Sequence, residues 1–285
     1  MNYRHHFHAG NFADVSKHVI LLELVRGMQR KSKGFFYLDT HAGRGAYDLM
    51  VASQGDTLAR EPEWPAGIGR IASAADRPEA VERYWHTVRQ FRQELEHDTM
   101  YPGSPALAGP LLRPQDRALF CELHPEEHGL LEQACATQRR IRVESRDGFE
   151  AVRGSLPPRE KRALVLIDPP YEDRDDSANV LAALREGLRR LPAGTFAIWY
   201  PLTRRAGAPT FLEAVAADGF PPTWTAELTV AGPESELSMR GAGVMVINPP
   251  WQLDRELDPV MTWLGERLAQ VPGGRGELRW LVPEI

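Results

Sequence analysis

The chain has 285 residues, of which 42% are hydrophobic, enough to bury a sizeable core in one or two domains. No stretch approaches the ~20 apolar residues of a membrane span, and the polar, histidine-rich beginning lacks the apolar segment of a secretory signal, so we expect a cytosolic protein without a membrane partner. The net charge of −5 argues against a protein that coats nucleic acid non-specifically, although it is compatible with a local basic surface.

The beginning of the chain predicts a helix followed by a buried strand. The helix, over 11–29, has Asn11 as its N-cap and Asp14 in its first turn, where a carboxylate is favourable. Its apolar residues recur at helical spacing. The apolar and aromatic run at 35–38 predicts a strand, which leads into the sequence Asp39-Thr40-His41-Ala42-Gly43-Arg44-Gly45.

The next segment departs from a simple alternation of strands and helices. Residues 61–65 have the composition of a loop, and the pattern over 78–97 predicts an amphipathic helix. We therefore interpret 50–100 as an inserted helical subdomain. The remaining residues, 1–49 and 101–285, are interpreted as one Rossmann-like domain.

Strands and helices alternate in the rest of the chain. The predicted strands lie at 118–121, 141–143, 163–167, 195–199, 223–230 and 243–248. The predicted helices lie at 126–138, 149–156, 177–191 and 209–218. This alternation predicts a doubly wound parallel sheet, and the last two strands, with no helix between them, predict an antiparallel edge. The arrangement is similar to the class I (Rossmann-like) methyltransferase fold, an α/β fold with a mostly parallel seven-stranded sheet and an antiparallel last strand.

The turn after the first predicted strand is a candidate ligand site. Gly43 and Gly45 allow the backbone to approach a ligand closely, and ligands of such sheets bind outside the carboxyl ends of the strands. His41 stands where methyltransferases usually have a further glycine. Two interpretations of His41 stay open: contact with the cofactor, by packing or hydrogen bonding, and a purely structural role in the turn.

Two later strand ends carry acidic residues that suit an adenosine-containing ligand. Glu122 follows the strand at 118–121, and one carboxylate can accept hydrogen bonds from both ribose hydroxyls. The alternative for Glu122 is an acid on the surface. Asp147 and Gly148 follow the strand at 141–143, which fits the position that contacts the adenine ring of the cofactor.

The sequence Asp168-Pro169-Pro170-Tyr171 is the most specific motif of the chain. Asp168 ends an apolar strand, and the prolines restrict the backbone that follows, so its carbonyl groups are held in place. A carboxylate and a proline carbonyl can accept the two hydrogens of a base's exocyclic amine and orient its nitrogen towards a sulfonium methyl group. Asp168 can also accept the released proton, and Tyr171 can stack on the base. The alternative is a rigid turn after a buried strand.

A second match to the loose form of this motif is Asn248-Pro249-Pro250-Trp251, after the last predicted strand. In this fold that strand runs antiparallel to the others, so its carboxyl end lies at the opposite edge of the sheet. Asparagine also cannot take up a proton. We therefore predict that Asp168 is catalytic and that Asn248 is structural.

A series of short sequence blocks spans nearly the whole chain in a fixed order. They are Tyr3-Arg4-His5-x-Phe7-His8-Ala9-Gly10-Asn11-x-Ala13-Asp14-Val15-x-Lys17-His18, Leu38-Asp39-Thr40-His41-Ala42-Gly43, Tyr101-Pro102-Gly103-Ser104-Pro105, Glu122-Leu123-His124-Pro125, Asp147-Gly148-Phe149, Ile167-Asp168-Pro169-Pro170-Tyr171, Trp199-Tyr200-Pro201 and Ile247-Asn248-Pro249-Pro250-Trp251. Together they closely resemble the bacterial ribosomal RNA large subunit methyltransferase J family. The resemblance implies an S-adenosylmethionine-dependent enzyme that methylates N6 of an adenine in 23S rRNA.

The resemblance also implies roles for individual residues. It implies that the cofactor is lined by His18, His41, Ser104, Glu122, Asp147, Gly148 and Asp168. Asp168 would be the catalytic acceptor, and Tyr3 and Lys17 would lie near the substrate or the lid of the site. From the turn motifs we add Pro169 and Tyr171 as catalytic residues, Gly43 as a cofactor contact and Tyr171 as a substrate contact.

Neither the histidines nor the cysteines predict a metal site. His5, His6 and His8 have no accompanying acidic or cysteine ligand, and methyl transfer from a sulfonium needs no metal. Cys121 and Cys135 form no CxxC pair, so we predict free, structural thiols.

Other functions share parts of this pattern. A DNA adenine methyltransferase would carry every motif above, although no added target-recognition domain is evident. A methyltransferase of protein glutamine would begin the turn with Asn where this chain has Asp168. A non-catalytic nucleic-acid-binding or competence protein on a methyltransferase scaffold would not bind S-adenosylmethionine. Our preferred partner is 23S rRNA, either protein-free or in an early assembly intermediate, and we expect a monomer.

Overall fold

The computed structural model describes residues 7–53, 61–173, 175–203, 207–232, 234–235, 237 and 239–284. The helices are α1 (Phe12–Gln29), α2 (Leu49–Ser53), α3 (Ile68–Ser73), α4 (Glu79–Glu94), α5 (Ser104–Ala108), α6 (Pro125–Cys135), α7 (Gly148–Ser155), α8 (Asp176–Arg190), α9 (Ala208–Ala217) and α10 (Leu253–Leu268). The strands are β1 (Phe36–Asp39), β2 (Ala46–Asp48), β3 (Met100–Pro102), β4 (Arg117–Cys121), β5 (Ile141–Glu144), β6 (Ala163–Ile167), β7 (Thr195–Thr203), β8 (Thr223–Thr229), β9 (Met239–Ile247) and β10 (Arg275–Val282).

The main sheet confirms the predicted class I methyltransferase fold. Its strand order is β5-β4-β1-β6-β7-β9-β8-β10. Strands β5, β4, β1, β6 and β7 are parallel to their neighbours in this series, whereas β9 is antiparallel to both β7 and β8. The expected count of seven strands needs a correction, because β10 adds an eighth strand, antiparallel to β8 at the edge.

The additional strand follows a helix that the predicted elements, which end at 248, did not include. Pro259 lies inside α10 and obscures its helical pattern, although the helix spans 16 residues. The buried residues of α10 recur every three or four positions and are Leu253, Leu257, Val260, Met261, Leu264, Gly265 and Leu268. A side chain on Gly265 would collide with the backbone of Gly276 in β10, so glycine allows the helix and the edge strand to pack closely.

Helix α1 crosses the core and positions one wall of the candidate site. Its predicted N-cap is confirmed, since the Asn11 side chain accepts a hydrogen bond from the Asp14 backbone N–H. All residues of α1 are buried except Arg26 and Gln29. The burial is this extensive because α4, α5 and α10 all contact α1 in addition to the sheet.

The two ends of the segment 50–100 lie next to each other. Strand β2 pairs with β3 in a small antiparallel sheet, with Ala46 opposite Pro102 and Asp48 opposite Met100. This pairing was not predicted, because both strands are only three residues long. We propose on this basis that 50–100 is an inserted subdomain of the remaining domain. Its apolar side chains share a core with α1, notably Val81, Tyr84 and Val88 of α4.

Several expectations concern groups away from the site. Cys121 and Cys135 are free and buried, in agreement with the prediction of structural thiols. In the part of the chain that the structure describes, no helix has the length and apolar character to cross a membrane. Within the same residues, no three His, Cys, Asp or Glu side chains cluster as a metal site, and His5 and His6 lie outside the described residues.

Candidate active site

The candidate site lies where the carboxyl ends of three neighbouring strands meet. β1 is paired with β6 on one side and with β4 on the other, and Asp39 at its end is level with Leu166 and Phe120. The chain therefore brings the glycine turn after β1, Asp168 after β6 and Glu122 after β4 to one edge of the sheet. This is the edge at which ligands of such folds bind.

Lys17 of α1 forms ion pairs with two carboxylates at this edge. Its Nζ lies 2.7 Å from Oδ2 of Asp168 and 2.9 Å from Oδ1 of Asp14. The three side chains are only 7%, 16% and 4% exposed for Lys17, Asp168 and Asp14 respectively, so water screens the pairs little. Burial alone would lower the pKa of Lys17, but the two carboxylates outweigh it and hold that pKa well above its usual value.

The first turn of α1 holds this pair of charges in place. The Gly10 backbone N–H donates to Oδ2 of Asp14 over 3.0 Å, and the Asn11 side chain binds the Asp14 N–H. Gly10 adopts φ +73°, a left-handed conformation that glycine adopts without strain. Lys17 is buried against Asp168, where it fixes the carboxylate's orientation. The expectation that it lies near the substrate or the lid stays a prediction.

Asp39 is a fully buried acid with one unused oxygen. Its Oδ2 accepts hydrogen bonds from Ser104 Oγ at 2.6 Å and from the Tyr37 hydroxyl at 3.0 Å. Its Oδ1 is buried and has no partner among the described residues. Burial raises the pKa of Asp39 to about 6, although the two donated hydrogen bonds oppose the rise. Ser104, a predicted cofactor residue, therefore contacts this site through Asp39.

His41 lies between the glycine turn and α7. Its Nδ1 is 2.8 Å from Oγ1 of Thr40, and its ring meets that of Phe149 edge-on with centroids 5.1 Å apart. Burial lowers the pKa of His41 to about 4, against the opposing effects of Asp168 and Asp147. The ring is therefore neutral near physiological pH.

Glu122 closes the glycine turn rather than projecting freely from the surface. Its Oε2 accepts the Gly43 backbone N–H at 2.9 Å, and its Oε1 accepts the His124 N–H at 2.8 Å. Gly43 has φ +60°, which side chains tolerate poorly, and a Cβ there would collide with the Tyr47 hydroxyl. The carboxylate retains free lone pairs for further donors.

Asp147 and Gly148 begin α7 beside the end of β1. Asp147 is the N-cap and accepts the Glu150 backbone N–H at 2.9 Å. Gly148 packs so closely that a Cβ would collide with the carbonyl of Thr40. Only glycine fits this contact without moving α7 or the turn after β1.

Gly148→Ala is expected to displace that turn, lowering the free energy of unfolding by roughly 1–3 kcal/mol and weakening cofactor binding. Gly129→Ala in α6 is the matched control, since a Cβ there meets nothing within 4 Å. The control should stabilise the protein by about 0.5–1 kcal/mol, because alanine favours a helix. Urea unfolding and cofactor titration of both variants check this, and equal behaviour would contradict the described packing.

His18 of α1 is linked through two tyrosines to the segment 50–100. Its Nδ1 lies 2.8 Å from the Tyr101 hydroxyl, which lies 3.0 Å from the hydroxyl of Tyr84 in α4. All three side chains are buried. The predicted cofactor residue is thus held by Tyr101 of β3, which is itself bonded to Tyr84 in the segment 50–100, a link that no local sequence pattern shows.

The turn after β6 has a rigid aromatic end. Pro169 is buried, and Tyr171 adopts φ 51° in the left-handed region. The Tyr171 hydroxyl donates to the carbonyl of Trp199 at 2.7 Å, and the two rings lie 5.7 Å apart. Tyr171 is therefore tethered at the β6–β7 edge, and its stacking on a base remains a prediction.

Asn248 lies at the other edge of the sheet, as predicted. Strand β9 is antiparallel, so its end meets the beginning of β7. The Asn248 side chain donates to the carbonyls of Pro192 at 2.8 Å and Gly194 at 2.9 Å. These bonds fix the loop before β7, which is a structural role.

Most predicted site residues thus meet at one edge of the sheet, and three others join them. Asp14, Asp39 and Thr40 were not predicted to belong to the site. Asp39 could have been found from the sequence, since it directly follows a predicted strand and begins the glycine turn. Asp14 had none, because its contact with Lys17 and Asp168 depends on the position of α1 in the fold. Tyr3 lies outside the described residues.

Comparison with known proteins agrees with this geometry. Residues 32–282 match the family model for ribosomal RNA large subunit methyltransferase D, RlmJ. Proteins of Haemophilus influenzae and Escherichia coli, both named ribosomal RNA large subunit methyltransferase J, are each 38% identical over 284 and 286 residues, with 100% of both chains covered. The crystal structure of LPL1258 from Legionella pneumophila has a TM-score of 0.84 and 32% identity, covering 96% of this chain and 97% of that one. The chain therefore belongs to the ribosomal RNA large subunit methyltransferase J family.

Proposed function

We propose that this protein transfers a methyl group from S-adenosylmethionine to the N6 amine of an adenine in 23S rRNA. The observation that carries the proposal is the position of Asp168. Its carboxylate lies just after β6, which is paired with β1, the strand that the glycine turn follows. Oδ2 of Asp168 forms an ion pair with Lys17. Its Oδ1 has no hydrogen-bond partner among the described residues.

The residues around the glycine turn suit the parts of the cofactor. The ammonium group of S-adenosylmethionine needs acceptors, and Asp39 offers a buried Oδ1 without a partner in the described chain. The ribose hydroxyls suit Glu122, which retains lone pairs after accepting two backbone N–H groups. We propose that the remaining contacts come from His18, His41, Gly43, Ser104, Asp147, Gly148 and Asp168.

The turn after β6 is proposed to hold the amine. When bound, the cofactor supplies a methyl group on a positively charged sulfur. Oδ1 of Asp168 accepts one amine hydrogen, and the carbonyl of Pro169 accepts the other. Orientation of this kind is worth on the order of several kcal/mol of the barrier. Asp168 then takes the proton that the amine nitrogen loses as its new bond to carbon forms.

The assignment of large-subunit rRNA as substrate is supported by the names of the two curated relatives, which specify it. An adenine stacked in a helix would have to leave the stack to reach Asp168. We propose that the tethered ring of Tyr171 then stacks on it, with Tyr3 as a further substrate contact. We further propose that the substrate is protein-free 23S rRNA or an early assembly intermediate. The enzyme is proposed to act as a monomer.

The experiment that tests this function is methyl transfer from labelled S-adenosylmethionine to three acceptors: protein-free 23S rRNA, duplex DNA and a glutamine-containing peptide. We expect label in the rRNA alone. Preferential labelling of DNA would replace the rRNA assignment by a DNA adenine methyltransferase. Failure of calorimetry to detect cofactor binding would favour a non-catalytic scaffold.

Binding of the cofactor is expected to depend on pH through Asp39. Because the pKa of its carboxyl is about 6, the group is ionised above that pH and neutral below it. A cationic ammonium group binds the ionised form, so affinity should fall as the pH falls. Between about pH 7.5 and pH 5 we expect a roughly tenfold increase in Kd.

Calorimetry of Asp39→Asn at the same two pH values supplies the control. This variant cannot ionise, so its weaker binding should change little over that interval. His41, with a pKa of about 4, titrates mainly below it. A pH dependence that persists unchanged in Asp39→Asn would assign the effect to another group.

A further inference from the structure

Thr40 connects the glycine turn to the strand that ends at Asp168. It directly follows β1, and it is only 1% exposed. Its Oγ1 lies 3.0 Å from the carbonyl oxygen of Leu166 in β6 and 2.8 Å from Nδ1 of His41. One buried hydroxyl therefore contacts both β6 and the histidine of the turn.

The single hydrogen of this hydroxyl determines where the His41 ring carries its own. The carbonyl oxygen of Leu166 can only accept, so its contact with Thr40 is favourable when Thr40 donates to it. If Thr40 donated to His41 instead, its hydroxyl oxygen would face the Leu166 oxygen at 3.0 Å with no hydrogen between them, and that carbonyl would keep only its bond from the Thr40 backbone N–H at 3.1 Å. The contact with Leu166 therefore favours the arrangement in which Thr40 accepts from His41 and the ring hydrogen lies on Nδ1.

In that tautomer the other ring nitrogen is an acceptor. A neutral imidazole carries one hydrogen, so a hydrogen on Nδ1 leaves a lone pair on Nε2. Among the residues that the structure describes, Nε2 of His41 has no hydrogen-bond partner, and the ring is partly exposed at the sheet edge. Phe149 contacts the ring and restricts its rotation.

We propose that Thr40 is a positioning residue that holds His41 in the Nδ1–H tautomer, so that Nε2 accepts a hydrogen bond from a hydroxyl or amino group of the cofactor. The inference rests on the proposed function in taking S-adenosylmethionine as the ligand. The tautomer is a property of the protein alone and can be measured without ligand. Thr40 thus joins the cofactor side of the site to the strand that carries Asp168.

Nitrogen-15 NMR of protein with labelled histidine tests the tautomer, since ring nitrogens with and without a bound hydrogen have distinct chemical shifts. His41→Gln identifies the His41 signals by their loss. The wild type and Thr40→Ser should show hydrogen on Nδ1, whereas Thr40→Val, which keeps the shape but lacks the hydroxyl, should show a mixture or hydrogen on Nε2. Hydrogen on Nε2 in the wild type, or an unchanged spectrum in Thr40→Val, would overturn the inference.

Calorimetry with S-adenosylmethionine tests the consequence for binding. Thr40→Val should raise Kd roughly tenfold, the effect of one misaligned hydrogen bond, while Thr40→Ser keeps the wild-type Kd. Thr223→Val is the matched control: Thr223 is equally buried and donates to the carbonyl of Pro221 beside β8, away from the site. In kinetics, Thr40→Val should raise KM for the cofactor and leave kcat nearly unchanged.

The outcomes separate this inference from the proposed function. If the wild type fails to bind the cofactor, the proposed function is wrong, and the NMR result still decides the tautomer. If the wild type binds it and Thr40→Val binds it equally well, the positioning role is wrong and the proposed function stands. Should Thr40→Val fail to fold, Thr40→Ala and the wild-type spectrum provide the same two measurements.

Discussion

Asp168→Asn is expected to lower kcat for RNA methylation by about 10²–10⁴-fold, the usual contribution of a general base. Asparagine has the size of aspartate, but its amide presents a donor as well as an acceptor to the incoming amine and cannot take up a proton. Binding of S-adenosylmethionine should change far less than kcat, because most of the proposed cofactor contacts lie after β1, β4 and β5. Single-turnover kinetics and calorimetry of the same preparation measure both quantities.

Asp258→Asn provides the control for this substitution. Asp258 is an exposed carboxylate on α10, so its loss removes a charge without touching the site. It should leave kcat and cofactor affinity unchanged. Near wild-type turnover in Asp168→Asn would remove Asp168 from the chemistry, and a loss of cofactor binding as large as the loss of kcat would make it chiefly a binding residue.

Lys17→Met is expected to lower the free energy of unfolding by about 3–5 kcal/mol, since it leaves Asp14 and Asp168 in a buried site without their ammonium partner. It should also lower kcat, because the Asp168 carboxylate loses the contact that fixes its orientation. Methionine retains most of the volume of lysine, so the charge is the main change. Urea unfolding and steady-state kinetics give the two effects.

A second variant separates the loss of charge from the loss of orientation. Adding Asp14→Asn to Lys17→Met removes one unpaired carboxylate and should recover part of the stability without restoring kcat. Lys31→Met, at an exposed position after α1, should change stability by less than about 0.5 kcal/mol. If Lys17→Met were as stable as Lys31→Met, the buried ion pairs would not be a structural feature of the protein in solution.

The sequence pattern predicted most of the fold because its signals are local. The Asn11 cap, the apolar run of β6 and the alternation of strands and helices each depend on neighbouring residues. α10 was missed, although its buried leucines recur at helical spacing, because Pro259 is atypical inside a helix. β10, which follows it, was not predicted either. The strands β2 and β3 are too short for a periodic signal.

Only those site residues that directly follow a predictable strand could be assigned to the site from the sequence. Residues that follow a recognisable strand, such as Glu122 and Asp168, lie at the expected edge of the sheet. Contacts between distant parts of the chain carry no such signal: Lys17 and Asp168 are 151 positions apart. The bonds of Thr40 to Leu166 and of Tyr101 to His18 likewise depend on the packed structure.

Mass spectrometry of nucleosides from protein-free 23S rRNA, incubated with the protein and isotopically labelled S-adenosylmethionine, tests the central claim most directly. We expect labelled N6-methyladenosine with the wild type and its formation about 10²–10⁴-fold more slowly with Asp168→Asn. Label in a different nucleoside, or equal labelling by wild type and Asp168→Asn, would contradict it.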